Sequence, residues 1–424
     1  MALMYNYDEL IKEYDNPNNS IWAYPPHIFE YKLPKIGFKI HVSATILNAA
    51  DIFVRVQKVL SECSVSYKVI SSLKNLSILN SGDFGYSQVG KFITIYPKDA
   101  EVFSKVIELL YHATLVFQSV DIPSDFRYKN SRVIFYRYGE LSLPNPDEKL
   151  QDKRLREIPE NIAVPIEDFY IKRYENFPSK YTPLICMRAR GKSRVFHGID
   201  TLNNIPIVIK EGLMLGEVSL DGYDGANSVM QEQKILLTVS DIRAFPSLID
   251  YFYVGSSFVV IEEYKEGKTL KEVLESEKCS QITLQRDNIL LQLIDIFIIL
   301  ERRQIFIGDL SPDNIILSSN GEISLIDVEY YRFHQQEIPH ALGTSGFWCS
   351  KYSDNHATIY AFFALWYYLS FPSEYQKLLL KQEPMYDCNI ERYQSICEDM
   401  PAIIEIKDYK TILKILRDYI IGGK

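Results

Sequence analysis

Apolar residues change their spacing along the chain in a way that lays out its elements before any special chemistry is considered. Residues 38–43 alternate apolar and polar, the period of a half-buried strand. Over 47–60, Ile52, Phe53, Val56, Val59 and Leu60 recur at helical spacing, so one face of a helix is apolar. Strands follow at 65–70 and 91–96, a second amphipathic helix at 100–113 and a closing strand at 133–138. Residues 36–140 therefore read as one α+β module. Farther on, 207–210 is an apolar strand ending in Lys210, 228–237 favours helix, 258–261 is a buried strand and 284–300 is a long amphipathic helix. The apolar runs 289–300 and 359–369 fall short of the ~20 residues that cross a bilayer. They fit buried helices, and no membrane span is expected.

Between these regions, 143–165 is rich in Pro and in alternating charges such as Asp147, Glu148, Lys149, Asp152, Lys153 and Arg154. That composition predicts a linker. The chain then divides into residues 1–142, the linker, and 166–424, the last with a smaller lobe to about residue 264 and a larger one from about 265. A length of 424 residues is enough for each part to bury a core. The net charge of −9 argues against general nucleic-acid binding. Six cysteines are scattered without a Cys-x-x-Cys pair, which fits free thiols in a reducing cytoplasm and offers neither a disulfide nor a zinc frame. The opening residues are Tyr-rich and acidic, unlike a signal peptide.

The run Gly308-Asp309-Leu310-Ser311-Pro312-Asp313-Asn314, followed by Ile326-Asp327-Val328-Glu329, resembles the catalytic core of a protein kinase. Asp309 would orient the attacking hydroxyl and accept its proton, while Asn314 and Asp327 would hold Mg2+. Alone, Asp-Leu-Ser-Pro-Asp-Asn would make an ordinary turn. The upstream parts stand in kinase order, however: Lys210 as the nucleotide-binding lysine, Glu232 as its partner, and Glu262 with Tyr264 as a hinge between lobes. The pattern departs in three places. The phosphate-covering stretch 188–196 keeps one glycine, Gly191, among basic residues that would contact phosphates or be solvated. Gly191-Lys192-Ser193 imitates a P-loop ending, but position 186 is Cys where that motif needs Gly. Ile307-Gly308 replaces the usual His-Arg, and Glu329 stands where Asp-Phe-Gly has its Gly. We read an active, divergent kinase. Asp83-Phe84-Gly85 is a decoy, because no catalytic loop precedes it.

In the first module, cations fall at strand positions that disfavour them. Lys39 and His41 project from one face, Lys68 is mid-strand, Lys91 opens a strand, and Arg127, Arg132 and Arg137 cluster near the last one. Each alone fits a solvent-facing edge; as a set they would form a dianion pocket. Arg132 and Arg137 are five apart, so both reach one phosphate only if Arg132 precedes the strand or a bulge intervenes.

Three stretches, residues 37–44 (Gly-Phe-Lys-Ile-His-Val-Ser-Ala), 90–97 (Gly-Lys-Phe-Ile-Thr-Ile-Tyr-Pro) and 136–139 (Tyr-Arg-Tyr-Gly), resemble the lyase domain of class III lanthipeptide synthetases. That domain is in turn similar to phosphothreonine lyases that share a Lys-x-His strand. The resemblance covers nearly the whole chain, because those synthetases also place a divergent kinase after the lyase. It implies an α+β fold with an N-terminal phosphoserine/phosphothreonine lyase-like domain followed by a two-lobed protein-kinase-like domain. It also implies two-step dehydration of a ribosomal precursor peptide carrying a leader sequence. The kinase would use ATP or GTP with Mg2+ to phosphorylate Ser or Thr, and the lyase would eliminate phosphate without metal. In that second step Lys68 would be the base, a protonated His41 would donate to the leaving oxygen, and Lys39, Lys91 and the arginines would hold the departing charge. The family ends in a lanthionine cyclase domain. The chain has no room for one after the kinase and no Cys/His zinc set, so it reads as a fragment or as a naturally cyclase-free form, with a lanthionine cyclase domain or protein as a candidate partner. Two further readings stay open: a kinase and lyase acting on signalling proteins, and an inactive-kinase scaffold that binds peptides.

Overall fold

The computed structural model describes residues 6–26, 33–123, 125–141, 158, 161–163, 176–276, 279–336, 343–380 and 390–422. The first sheet has the order β1-β3-β4-β2-β6-β5, from β1 (Trp22–Ala23), β2 (Ile36–Val42), β3 (Ser66–Ile70), β4 (Ile93–Tyr96), β5 (Phe126–Arg127) and β6 (Ile134–Glu140). Its described pairs are antiparallel. Helices α1 (Tyr7–Leu10), α2 (Ala49–Cys63), α3 (Leu73–Ser81) and α4 (Ala100–Thr114) accompany it. Alternation along β2 sends Phe38, Ile40 and Val42 to the helical side, where Phe38 stacks on Phe103 of α4 at 4.3 Å between ring centroids. Lys39 and His41 point to the other face, yet they too are buried. Burial of polar side chains on that second face is what makes it a candidate site.

Local chemistry sets the helix ends. Ser72 caps α3 by accepting from Asn75 N–H, and Gly82 ends it in the left-handed region at φ 92°. Asp99 caps α4 through Val102 N–H. Strands expected at 38–43, 65–70, 91–96 and 133–138, and helices at 47–60 and 100–113, are all present within a few residues of those bounds.

The second sheet runs β10-β11-β9-β8-β7, from β7 (Tyr181–Ala189), β8 (Ser193–Asp200), β9 (Ile205–Leu213), β10 (Leu248–Val254) and β11 (Ser257–Glu263). Helix α5 (Gly225–Thr238) lies between β9 and β10 in sequence. Two small sheets follow. One is β12-β14-β15, from β12 (Lys268–Thr269), β14 (Ile315–Leu317) and β15 (Ile323–Leu325); the other pairs β13 (Ile305–Phe306) with β16 (Arg332–Phe333). The remaining helices are α6 (Leu270–Glu275), α7 (Arg286–Arg302), α8 (Asp354–Ser370), α9 (Pro372–Leu380), α10 (Ile390–Gln394), α11 (Met400–Ile404) and α12 (Tyr409–Gly422). α8 is buried without a break from Thr358 to Leu369, and no helix among the described residues is long and apolar enough to cross a membrane.

The chain separates into two compact units. Met1–Phe196, Lys210–Asn227 and Phe252–Val259 form the first; His197–Ile209, Ser228–Tyr251 and Val260–Lys424 form the second. Residues 176–196 thus group with the N-terminal module. The linker expected at 143–165 falls largely outside the described residues. The expectation of thiols without a disulfide is corrected at one position: Cys63, Cys186 and Cys397 are free, but Cys349 is disulfide-bonded.

Candidate functional site

The polar face of the first sheet carries the first constellation. Register places Lys39 directly opposite Arg137, and His41 between Thr94 and Phe135. Lys39, His41 and Arg137 are therefore neighbours on one face. Lys91 arrives from outside the strands. Gly90, at φ +79°, turns the chain just before it, and Lys91 is 2% exposed. The centre of the group is a residue that the sequence reading missed: the Asp125 carboxylate accepts from His41 Nδ1–H, and Lys91 Nζ lies 4.0 Å from its other oxygen. Both His41 and Asp125 side chains are essentially inaccessible.

These groups set one another's protonation. Burial is the largest influence on His41 and lowers it from 6.5 to about 4; Asp125 opposes the shift, while Lys91 and Arg137 add to it. Burial would push the Asp125 carboxyl up. The charge and hydrogen bond of His41, then Lys91 and Arg137, hold it well below the usual carboxylate range. At neutral pH His41 is thus neutral, with its proton on Nδ1 and its Nε2 lone pair available. Lys39, Lys91 and Arg137 are all buried on this face beside the Asp125 carboxylate, so the group is rich in donors suited to a dianion.

The other predicted members are not gathered in the same way. Lys68 pairs with Thr94, which pairs with His41, so Lys68 stands two strands from His41, about 10 Å at the usual strand spacing. Its Nζ sits 4.0 Å from the Trp22 ring centroid, over the ring face. Arg127 gives both its described bonds to Asp121, at 2.6 and 2.7 Å. Arg132 does precede β6, as the spacing required, but it donates to Gln118 Oε1 at 2.8 Å near the surface. Arg137 is the arginine that reaches the buried group.

The second constellation lies in the second unit. Asn314 Nδ2 donates to the Asp309 carboxylate at 3.1 Å and to the Asp309 carbonyl at 3.2 Å. Thr344, unremarked in the sequence, donates to the same carboxylate from its N–H at 3.2 Å and from its hydroxyl at 3.1 Å. Burial raises the Asp309 pKa, the Thr344 and Asn314 hydrogen bonds lower it, and the nearby Asp327 charge raises it further. Asp327 adopts the left-handed conformation at φ 60°, a backbone state that a non-glycine residue keeps where the surroundings enforce it. The next amide, Val328 N–H, donates to Glu232 Oε1 of α5 at 3.1 Å. Gly308, which stands where the kinase pattern has Arg, has a packing reason: a Cβ there would stand 1.9 Å from the Tyr330 carbonyl oxygen. Glu262 is buried at the end of β11, and the Tyr264 ring lies 4.7 Å from that of His197. In the first unit, Lys210 is buried on β9.

Two carboxylates and a side-chain amide are hard oxygen donors of the kind Mg2+ takes, and mutual repulsion of Asp309 and Asp327 is what a cation would relieve. No group of three or more His, Cys, Asp or Glu with metal-binding geometry exists among the described residues.

Residues 5–165 match the model of the RamC N-terminal domain. The chain is 25% identical to the probable SapB synthase of Streptomyces coelicolor over 261 residues, 56% of this chain and 28% of that protein. It is 28% identical over 177 residues to a putative serine/threonine-protein kinase, 040L, of Invertebrate iridescent virus 3, 34% of this chain and 51% of that protein. The chain therefore spans between about a quarter and about half of the length of these relatives.

Proposed function

The chain is a class III lanthipeptide synthetase-like protein, and we propose that it dehydrates Ser and Thr residues of a ribosomal precursor peptide by phosphorylation followed by elimination. The observation that carries this reading is the gathering of buried Lys39, Lys91 and Arg137 around the His41–Asp125 pair, a donor set that suits a phosphoryl dianion.

In the first step Asp309 orients the peptide hydroxyl and takes its proton as the hydroxyl oxygen bonds to the γ-phosphorus of ATP or GTP and the nucleoside diphosphate leaves. Thr344 and Asn314 hold the Asp309 carboxylate in place. Asn314 and Asp327 would hold Mg2+, which when bound supplies charge neutralisation for the phosphates. Lys210, Glu232, Glu262 and Tyr264 are the residues that the kinase reading assigns to the nucleotide.

In the second step the phosphate oxygens lie among Lys39, Lys91 and Arg137. Lys68 removes the Cα proton, the Cβ–O bond breaks, and phosphate departs, leaving dehydroalanine or dehydrobutyrine. His41 gives its proton to the leaving oxygen, which requires the incoming dianion to raise its pKa from about 4. To act as the base Lys68 must be a neutral amine, and burial by the bound peptide would favour that form. Arg127 and Arg132 are left to structural pairing in this scheme.

Mass spectrometry of a co-expressed precursor tests both steps, since each completed site loses one water. Asp309→Asn and Asp327→Asn should abolish phosphorylation yet still convert a synthetic phosphopeptide. His41→Gln should stall the reaction with one phosphate gained per site. Normal dehydration by His41→Gln would overturn the lyase assignment.

A further inference from the structure

The hairpin tip between β7 and β8, residues 190–193, is the stretch that the kinase reading assigns to the nucleotide phosphates. Its backbone is already gripped by the N-terminal module. Gly191 N–H donates to the Ser81 carbonyl at 3.0 Å, and Arg190 Nη1 lies 3.1 Å from Asp83 Oδ1. A Cβ at Gly191 would stand 1.5 Å from the Asn80 carbonyl oxygen, so only glycine allows this approach. The tip is held from the other side too. Lys192 carbonyl accepts from Leu213 N–H at 3.0 Å, and a Cβ at Gly225 would stand 1.9 Å from that same carbonyl oxygen.

The gripping turn is itself rooted beside the buried polar group of the first sheet. Asn80 is 4% exposed; its Nδ2 donates to the Ala44 carbonyl at 2.9 Å, and its Oδ1 accepts from Gly90 N–H at 3.2 Å. Ala44 ends the stretch that carries His41, and Gly90 precedes Lys91. Thus the loop's single glycine serves docking, and the turn it docks on belongs to the frame of the other proposed active site.

We propose that the turn 80–83 is a positioning element for the nucleotide: it holds residues 190–193 in the shape that meets the triphosphate. A mobile Gly-rich loop must be ordered when nucleotide binds, at an entropic cost. Here Arg190 and Gly191 are ordered beforehand by contacts from a neighbouring module. This rests on the kinase reading of the second constellation, and it adds that the phosphoryl donor is bound with help from the part of the chain assigned to elimination.

The test places a like charge at the dock without touching either reaction centre. Asp83→Lys sets an ammonium against Arg190 and loosens the tip. Titration with a fluorescent ATP analogue, and with Mg·GTP in competition, should show affinity falling about three- to tenfold. KM for nucleotide should rise by the same factor, with kcat and elimination from a synthetic phosphopeptide unchanged. In the nucleotide-free protein, hydrogen exchange at the Gly191 amide should quicken by a similar factor. Faster exchange with unchanged nucleotide affinity would overturn the proposal, as would an unchanged amide. A general loss of stability would instead lower kcat and elimination together, and that outcome also counts against it. Gly191→Ala is the stronger perturbation and should act in the same direction, but its Cβ has no space, so Asp83→Lys decides. Should the wild-type chain bind neither nucleotide, the kinase reading fails first and the proposal falls with it.

Discussion

Replacing Asp125 by Asn should separate the two duties of that carboxylate. The amide oxygen can still accept from His41 Nδ1–H, so shape and tautomer are kept and only the charge is lost. At 4.0 Å from Lys91, a unit charge pair is worth roughly 4 kcal/mol at an effective dielectric constant of about 20. Removing one partner of a buried pair typically costs about 3–5 kcal/mol. With about 2–4 °C per kcal/mol for a body of this size, the melting temperature should fall by roughly 6–20 °C. The same change takes a buried negative charge away from Lys91 and Arg137, so this group of side chains should bind a dianion more tightly. Sulfate, which does not titrate near neutrality, is a suitable probe. We expect its affinity to rise at least about tenfold (~1.4 kcal/mol), and saturating sulfate to recover much of the lost stability. Elimination should nevertheless slow by about 10²–10⁴, the usual scale of general acid–base catalysis, because a protonated His41 is no longer stabilised. Thermal melts across a sulfate series, with single-turnover elimination from a phosphopeptide, measure all three. Equal sulfate effects on wild type and variant would refute the charge argument, and an unchanged elimination rate would remove Asp125 from the chemistry.

Three further outcomes follow from the same module. His41 has a folded pKa of about 4, below its unfolded value of 6.5, so between these values the unfolded chain binds the extra proton. Stability should then rise with pH across that window by up to about 3 kcal/mol, and His41→Gln should flatten this part of a denaturant-derived stability profile; a profile falling from pH 4 to 6.5 would contradict the assignment. Arg137→Lys keeps the charge but loses the forked geometry, and should slow elimination by roughly tenfold to a thousandfold at a near-normal melt, using about 1.4 kcal/mol per decade. Arg127→Ala should leave elimination unchanged and cost up to about 1 kcal/mol, since its Asp121 pair is partly solvated. The reverse ranking would exchange their roles.

What could be read from the sequence was what repeats or lies close together. Strand and helix positions in the first module followed from periodicity alone, and Lys39 with His41 from a two-residue spacing. Arg137 joined them because antiparallel register carried it opposite Lys39. Asp125 escaped notice because it is 84 residues from His41 and sits in no periodic segment. Its only signal was negative: a pocket of cations needed a counter-ion, and any nearby Asp would have qualified. Arg127 and Arg132 were overcounted for the converse reason, since proximity in sequence says nothing about partners such as Asp121 or Gln118. Gly191 and Gly308 looked like degraded motif positions. Their cause is close backbone approach by Asn80 and Tyr330, which only coordinates reveal.

The contact between Asn80 and Gly191 also bears on how such chains can be rearranged. Multifunctional enzymes are commonly treated as strings of exchangeable cassettes, cut and rejoined at linkers. Here a seam cut between residues 142 and 176 would divide the turn 80–83 from the loop it fits, and a transplanted neighbour with any larger side chain at position 191 would collide with the Asn80 carbonyl. Recombination between relatives should therefore succeed only when both sides of this seam come from the same parent, and the two catalytic histories are expected to be inherited together.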